Sequence, residues 1–267
     1  MSLIVFAHAN SFPASTYQLL FRSLRSRGYT VRALDKLGHD PRYPVSSNWP
    51  HLVAQLAEFT QSQVAQHGQK AWLVGHSLGG FLSLLAACKH PDLAAGVVML
   101  DSPVVSGWRA QALALAKHSG LVSSFSPGAV SQKRRQHWDS VEAVLAHFRS
   151  KKAFAQWNPQ VLLDYVTHGT QDDGRGGRSL SFDRTVETDI YNTFPHNIDV
   201  VLRRHPPQCP VAYIGGDRSQ EMAQIGLDAT RRLVGQRLSL LPGSHLFPME
   251  IPLETAQAID QAIASQP

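Results

Sequence analysis

Trp72-Leu73-Val74-Gly75-His76-Ser77-Leu78-Gly79-Gly80-Phe81-Leu82 is the stretch on which the fold turns. Three apolar residues lead into a Gly-x-Ser-x-Gly motif, and Phe81, Leu82, Leu84, Leu85 and Ala86 continue with the apolar density of a buried helix. The pattern predicts a strand, a sharp turn at Ser77, and a helix reaching about Lys89 before Pro91. On such a turn the serine hydroxyl is lifted above the sheet edge. The flanking glycines avoid collisions that side chains would make, and the helix N-terminus offers partial positive charge to a developing anion. The motif alone is modest evidence, since a serine that only caps a helix reads similarly. The strand before it and the helix after it are what favour a nucleophile.

Working outward, Leu3–Ala7 reads as a buried strand, and Tyr17, Leu20, Phe21 and Leu24 form one helical face. Tyr29–Leu34 is a further strand, Leu52, Val53, Leu56 and Phe59 mark a helix, and Val97–Leu100 is a strand ending at Asp101. This alternation implies a parallel sheet covered by helices on both faces. It stops at about Ser102. The segment 103–208 is expected to be a mostly helical cap, rich in aromatic residues, with a loop at Asp172-Asp173-Gly174-Arg175-Gly176-Gly177. Strand patterns resume at Val211–Ile214 and Arg237–Leu241, followed by an amphipathic helix over Leu253–Ala264. The expected organisation is thus a core of 1–102 and 209–267 interrupted by the cap.

Apolar residues at 43% and charged residues at 17% describe an ordinary globular chain. The net charge of +5 is small and scattered, and its densest run, Lys133-Arg134-Arg135, reads as a solvated helix face, so no nucleic-acid partner is expected. Two cysteines, Cys88 and Cys209, make neither a disulfide framework nor a zinc site by spacing. No signal peptide and no membrane span are expected, which makes the cytoplasm the default location. No metal-binding pattern and no dinucleotide pattern stands out, so no cofactor is expected.

Ser77 needs a base, because a free hydroxyl is a poor nucleophile at neutral pH. His245 stands out among 13 histidines by its place in Pro242-Gly243-Ser244-His245, the turn after the last strand. Loops at the carboxyl ends of parallel strands converge over one crevice, and Ser77 and His245 both occupy such loops. The plainer alternative for His245 is a surface histidine in a turn.

The order His8-Ala9-Asn10, Asp35-Lys36-Leu37-Gly38-His39, Gly75-His76-Ser77-Leu78-Gly79-Gly80 and Gly243-Ser244-His245 resembles the α/β-hydrolase superfamily, and in particular its capped serine esterases. The resemblance covers both ends of the chain, and the middle matches only as a cap at the usual insertion point. It implies a mostly parallel sheet of about six strands, without the family's usual first two, and Tyr29–Leu34 at an edge where a second copy could pair as a homodimer. It also implies a triad acid, with two candidates. The family often carries the acid in the loop that here reads Gly215-Gly216-Asp217-Arg218-Ser219, but Ser219 stands at the usual aspartate position and Asp217 is shifted by two. Some family esterases instead carry it where Asp101 stands. Asp101 is preferred and Asp217 is the alternative. Either acid would hold the imidazole in the right tautomer. The oxyanion donors implied are the backbone N–H groups of Leu78 and Asn10, with Phe12 as a substitute because Ala9 replaces the family's glycine. Phe12, Trp108, Trp157 and Tyr165 are candidate substrate-pocket residues, although for any single cap aromatic a packing role is the more ordinary reading.

The function expected is hydrolysis of a small-molecule carboxylic ester through an acyl-enzyme. Carbon–carbon bond hydrolysis or lactone opening on the same triad is the enzymatic alternative. A ligand-binding protein that keeps the fold without turnover is the non-enzymatic one.

Overall fold

The computed structural model describes residues 1–107, 111 and 127–265. Its centre is a sheet of six strands in the order β2-β1-β3-β4-β8-β9, every neighbouring pair parallel. The strands are β1 (Leu3–Ala7), β2 (Thr30–Ala33), β3 (Ala71–His76), β4 (Ala94–Leu100), β8 (Val211–Gly216) and β9 (Leu238–Leu241). Strand β2 lies at one edge, as the sequence predicts, and β9 at the other.

Side-chain alternation along these strands divides the core in two, because successive residues of a strand point to opposite faces. Leu3, Val5, Leu73, Val97, Met99, Val211 and Tyr213 belong to one apolar cluster. Ile4, Phe6, Val74, Val98, Leu100, Ala212 and Ile214 belong to the other. Helices α2 (Pro50–His67) and α3 (Leu78–Lys89) cover the first face through Leu52, Leu56, Leu78, Phe81 and Leu85. Helices α1 (Gln18–Ser26) and α12 (Pro252–Ala264) cover the second through Leu20, Phe21, Leu24, Ile259 and Ile263. A buried leucine of this kind contributes about 1.5–3 kcal/mol over an exposed one. Helix α3 is apolar on all sides because it is buried on all sides: every residue from Leu78 to Cys88 is buried.

The chain runs outward from β1 to β2, then crosses back so that β3 pairs with the opposite side of β1. The helices that follow β1 and β3 therefore leave toward opposite faces. Their loops at the carboxyl ends of the two strands flank the usual ligand position of an open α/β sheet. Register keeps these ends level. Ala7 pairs with Gly75, and His76 pairs with Leu100.

Between β4 and β8 the described chain contains α4 (Pro127–Ser131), α5 (Val141–Arg149), α6 (Pro159–His168), α7 (Arg184–Asn192) and α8 (Ile198–Arg204). It also contains a small antiparallel sheet, β5-β7-β6, built from His137–Trp138, Arg178–Leu180 and Thr170–Asp172. The sequence pattern predicts mostly helices and a glycine-rich loop here. The loop becomes the hairpin turn between β6 and β7, where Asp173 accepts hydrogen bonds from the N–H groups of Arg175 and Gly177. This region shares a core with the second face of the main sheet, since Trp138, Val144, Phe148, Trp157, Val161 and Tyr165 belong to the same cluster as Ile4 and Phe6. Polar ties reinforce it. Lys36 Nζ donates to the Ser181 carbonyl (3.1 Å), and the Asp183 N–H donates to His39 Nε2 (2.9 Å). Among the described residues no helix is long and apolar enough to cross a membrane.

Candidate active site

Strand β3 ends at His76 and α3 begins at Leu78, so Ser77 alone makes the turn between them. Its φ of 52° and ψ of −115° lie where a residue with a side chain is strained by about 1–3 kcal/mol. Hydrogen bonds hold it there, including one from Phe81 N–H to its carbonyl (3.3 Å). The Ser77 N–H donates to the Leu100 carbonyl (2.9 Å), while its own carbonyl accepts from Gly80 N–H (3.0 Å) and Ser102 Oγ (2.8 Å). The motif glycines are sterically required. A Cβ on Gly75 would lie 2.1 Å from the Gly79 carbonyl oxygen, and one on Gly79 would lie 2.0 Å from the Ala7 carbonyl oxygen.

The turn points the Ser77 hydroxyl at His245, 168 residues later in the chain. Ser77 Oγ and His245 Nε2 are 3.0 Å apart. His245 Nδ1 lies 2.6 Å from Asp101 Oδ2. The carboxylate can only accept, so Nδ1 carries the ring proton and Nε2 is left as an acceptor for the Ser77 hydroxyl. Asp101 leaves the end of β4 with a φ of 46° and is 1% exposed. Its other oxygen accepts from Gly216 N–H (3.0 Å), and Ser219 Oγ donates to Oδ2 (2.5 Å). The same Ser219 oxygen accepts from Met222 N–H (3.1 Å), capping helix α9 (Gln220–Ile225). Burial alone would push the His245 pKa down. The hydrogen bond to Asp101, with the charges of Glu221 and Asp101, outweighs it, and the net shift is upward.

Asp217, the alternative acid, has a different task. Its side chain is about half exposed, accepts from Gly243 N–H (2.9 Å) and pairs with Arg218 (3.4 Å). It braces the turn that carries His245 and is not bonded to the imidazole. Glu250 braces the same turn through Ser244, accepting from its N–H (3.1 Å) and from its hydroxyl.

For an oxyanion, Leu78 supplies the first N–H of α3, which has no partner within the helix. The Asn10 N–H makes no hydrogen bond among the described residues, whereas the Phe12 N–H is engaged by the Ala9 carbonyl (3.2 Å). Asn10 is therefore better placed than Phe12 as the second donor. Its side-chain amide donates to the Glu187 carbonyl (3.0 Å), which ties the loop to α7.

Of the candidate pocket residues, Phe12, Trp157 and Tyr165 come together in one aromatic cluster. Phe12 lies 5.4 Å from Trp157 and 5.5 Å from Tyr165 between ring centroids. Trp157 and Tyr165 are buried, and Tyr165 accepts from Arg134 Nη2 (2.8 Å) while Arg134 pairs with Glu187 (2.6 Å). These two residues build the floor beneath the Asn10 loop, and half-buried Phe12 is the member nearest the surface. Trp108 lies outside the described residues. Sequence reasoning missed Ser102, Ser219 and Tyr17. Serine and tyrosine are common, and each of the three acts through partners that only the fold brings near.

Asp101, Glu221 and His245 also bring ligand-type atoms within 4.8 Å of one another. Two of the three are already spent on the Asp101–His245 hydrogen bond, so the grouping reads as a proton-holding site.

Two further histidines are fully buried and kept neutral. Burial pulls His8 down to about 4 and His76 down to about 3. His8 Nδ1 donates to the Ala9 carbonyl (2.8 Å), and its Nε2 accepts from Leu37 N–H (2.8 Å). A histidine depressed in the fold takes up its proton on unfolding, so its stabilisation is complete above about pH 6.5 and declines as pH falls below that. Each group is expected to remove at most about 1.4 kcal/mol per pH unit in the window between the unfolded and folded values. Urea unfolding midpoints measured from pH 7 to 5 should fall accordingly, and a flat profile would contradict the assignment of two buried neutral imidazoles.

Comparison with known proteins agrees with this architecture. The chain is 21% identical over 257 residues to a serine hydrolase-like protein of Dictyostelium discoideum, covering 89% of this chain and 68% of that one. It is 31% identical over 103 residues to a pyrethroid hydrolase of Sphingobium wenxiniae, covering 37% and 35%. The match spans little more than a third of the length of three of the four curated relatives. The crystal structure of an E-2-(acetamidomethylene)succinate hydrolase superposes with a TM-score of 0.75 at 23% identity, over 99% of this chain and 92% of that one. The model of the alpha/beta hydrolase family matches residues 4–258, and the chain belongs to that family.

Proposed function

We propose that the protein hydrolyses a carboxylic ester of a small molecule through an acyl-enzyme on Ser77. The observation that carries the reading is the unbroken hydrogen-bonded chain Ser77–His245–Asp101. His245 Nε2 takes the hydroxyl proton as Ser77 Oγ bonds to the ester carbonyl carbon. The carbonyl oxygen becomes an oxyanion held by the Leu78 and Asn10 N–H groups, usually the largest electrostatic contribution to such catalysis. The imidazolium, stabilised by Asp101, then gives its proton to the departing alcohol. Water attacks the acyl-enzyme with His245 again as base, releasing the acid and restoring Ser77. The names of the serine hydrolase-like relative and the pyrethroid hydrolase are consistent with this chemistry.

The test is pre-steady-state release of nitrophenol from a short-chain nitrophenyl ester. A burst equal to one equivalent of enzyme, followed by slower turnover, is expected. Because His245 is shifted upward, the rising limb of kcat/KM against pH should have its midpoint above 6.5. Absence of any nitrophenol release across a panel of acyl lengths would overturn the reading.

A further inference from the structure

We infer that Tyr17 and His76 are positioning residues, which together couple the oxyanion loop to the backbone of the catalytic base. The inference rests on the reading of Ser77 and His245 just given and adds to it. Four groups form one hydrogen-bonded chain. The Ala9 N–H donates to Tyr17 Oη (3.1 Å), and Tyr17 Oη lies 2.8 Å from His76 Nδ1. His76 Nε2 lies 2.9 Å from the carbonyl oxygen of His245.

Proton counting leaves one arrangement. The His245 carbonyl can only accept, so His76 Nε2 carries the hydrogen. A neutral imidazole has one such hydrogen, so Nδ1 is bare and accepts from the Tyr17 hydroxyl. The tyrosine oxygen keeps a lone pair for the Ala9 N–H. Tyr17 is 1% exposed and His76 is 0% exposed, so the two side chains that carry the chain are closed off from water. Burial also keeps His76 neutral.

The two ends of this line are the two parts of the site that must agree with each other. Ala9 immediately precedes Asn10, whose N–H is the second oxyanion donor. The His245 carbonyl belongs to the residue that receives the Ser77 proton. His76 itself precedes Ser77, so the nucleophile, its base and the oxyanion loop share one reference point. This accounts for a histidine at the first variable position of the Gly-x-Ser-x-Gly motif, where the turn geometry alone asks for no particular side chain.

The experiment compares Tyr17→Phe, His76→Asn and His76→Gln with the wild type. Steady-state ester hydrolysis, inactivation by a fluorophosphonate and thermal melting are recorded for each. Tyr17→Phe keeps the ring that packs on Phe6 and Phe21 and removes only the hydroxyl. It should lower kcat about 10- to 100-fold with KM little changed, since what is lost is alignment of the reacting groups. His76→Asn is too short to reach the His245 carbonyl and should lose a similar factor. His76→Gln keeps a donor near the Nε2 position and should recover most of the loss. Values of kcat within twofold of wild type for both Tyr17→Phe and His76→Asn would overturn the inference. So would losses that fall on KM alone, or a His76→Gln variant no better than His76→Asn. If the wild type neither turns over ester nor reacts with the fluorophosphonate, it is the hydrolase reading that fails. If the wild type reacts and the variants match it, only the coupling fails.

Discussion

Asp101→Asn is expected to lower kcat by about 10⁴-fold, by analogy with removal of the corresponding charge in serine proteases, while Asp217→Asn is expected to retain most activity. An asparagine at position 101 can keep the packing but can present its amide N–H to His245 Nδ1. The ring then turns to the wrong tautomer, with its proton on Nε2 facing Ser77. The Gly216 N–H and the Ser219 hydroxyl both donate to Asp101, and an asparagine amide group at that position cannot accept from both as the carboxylate does. Asp217 accepts from Gly243 N–H at a half-exposed position, so its loss should loosen the turn modestly and reach His245 only through the backbone. An inactive Asp217→Asn beside a fully active Asp101→Asn would reverse the assignment.

His245→Ala should cost on the order of 10⁶-fold in kcat, the scale seen when a serine protease loses its histidine. Two functions disappear together: removal of the Ser77 proton and its delivery to the leaving group. Because the triad acts as a unit, adding Asp101→Asn to His245→Ala should cost almost nothing further. Independent additive losses in the double variant, measured as kcat on one nitrophenyl ester, would argue against a shared hydrogen-bonded chain. Thermal melting separates these effects from unfolding, since His245 is partly exposed and its truncation leaves no large internal void.

Much of this arrangement is legible in the sequence because its signals are local. Strand, glycine, serine, glycine and helix follow one another within eleven residues around Ser77, and each constrains the next sterically. His245 is legible because the turn after a last strand must open on the same sheet edge as the turn after β3. The choice between Asp101 and Asp217 rests on pairing that no local pattern carries. Strand β4 lies beside β8, and this brings Gly216 and Ser219 over the end of β4. Ser219, standing where the resemblance leads one to expect an acid, instead donates to Asp101. The line from Ala9 through Tyr17 and His76 to His245 is equally invisible, since Tyr17, His76 and His245 are widely separated in the chain. The small sheet β5-β7-β6 escapes notice because strands of two or three residues are too short to show a period of two. Trp157 and Tyr165 are buried and pack against Phe12, a contact that no local pattern reveals.

Ser77, activated by His245, is expected to form a covalent bond to the substrate. Peptide mass mapping of the protein after brief exposure to a fluorophosphonate tests it at the level of a single atom. One equivalent of adduct is expected, located on Ser77 and formed far more slowly in His245→Ala. An adduct on another residue, or an unmodified Ser77 after exhaustive exposure of folded protein, would contradict it.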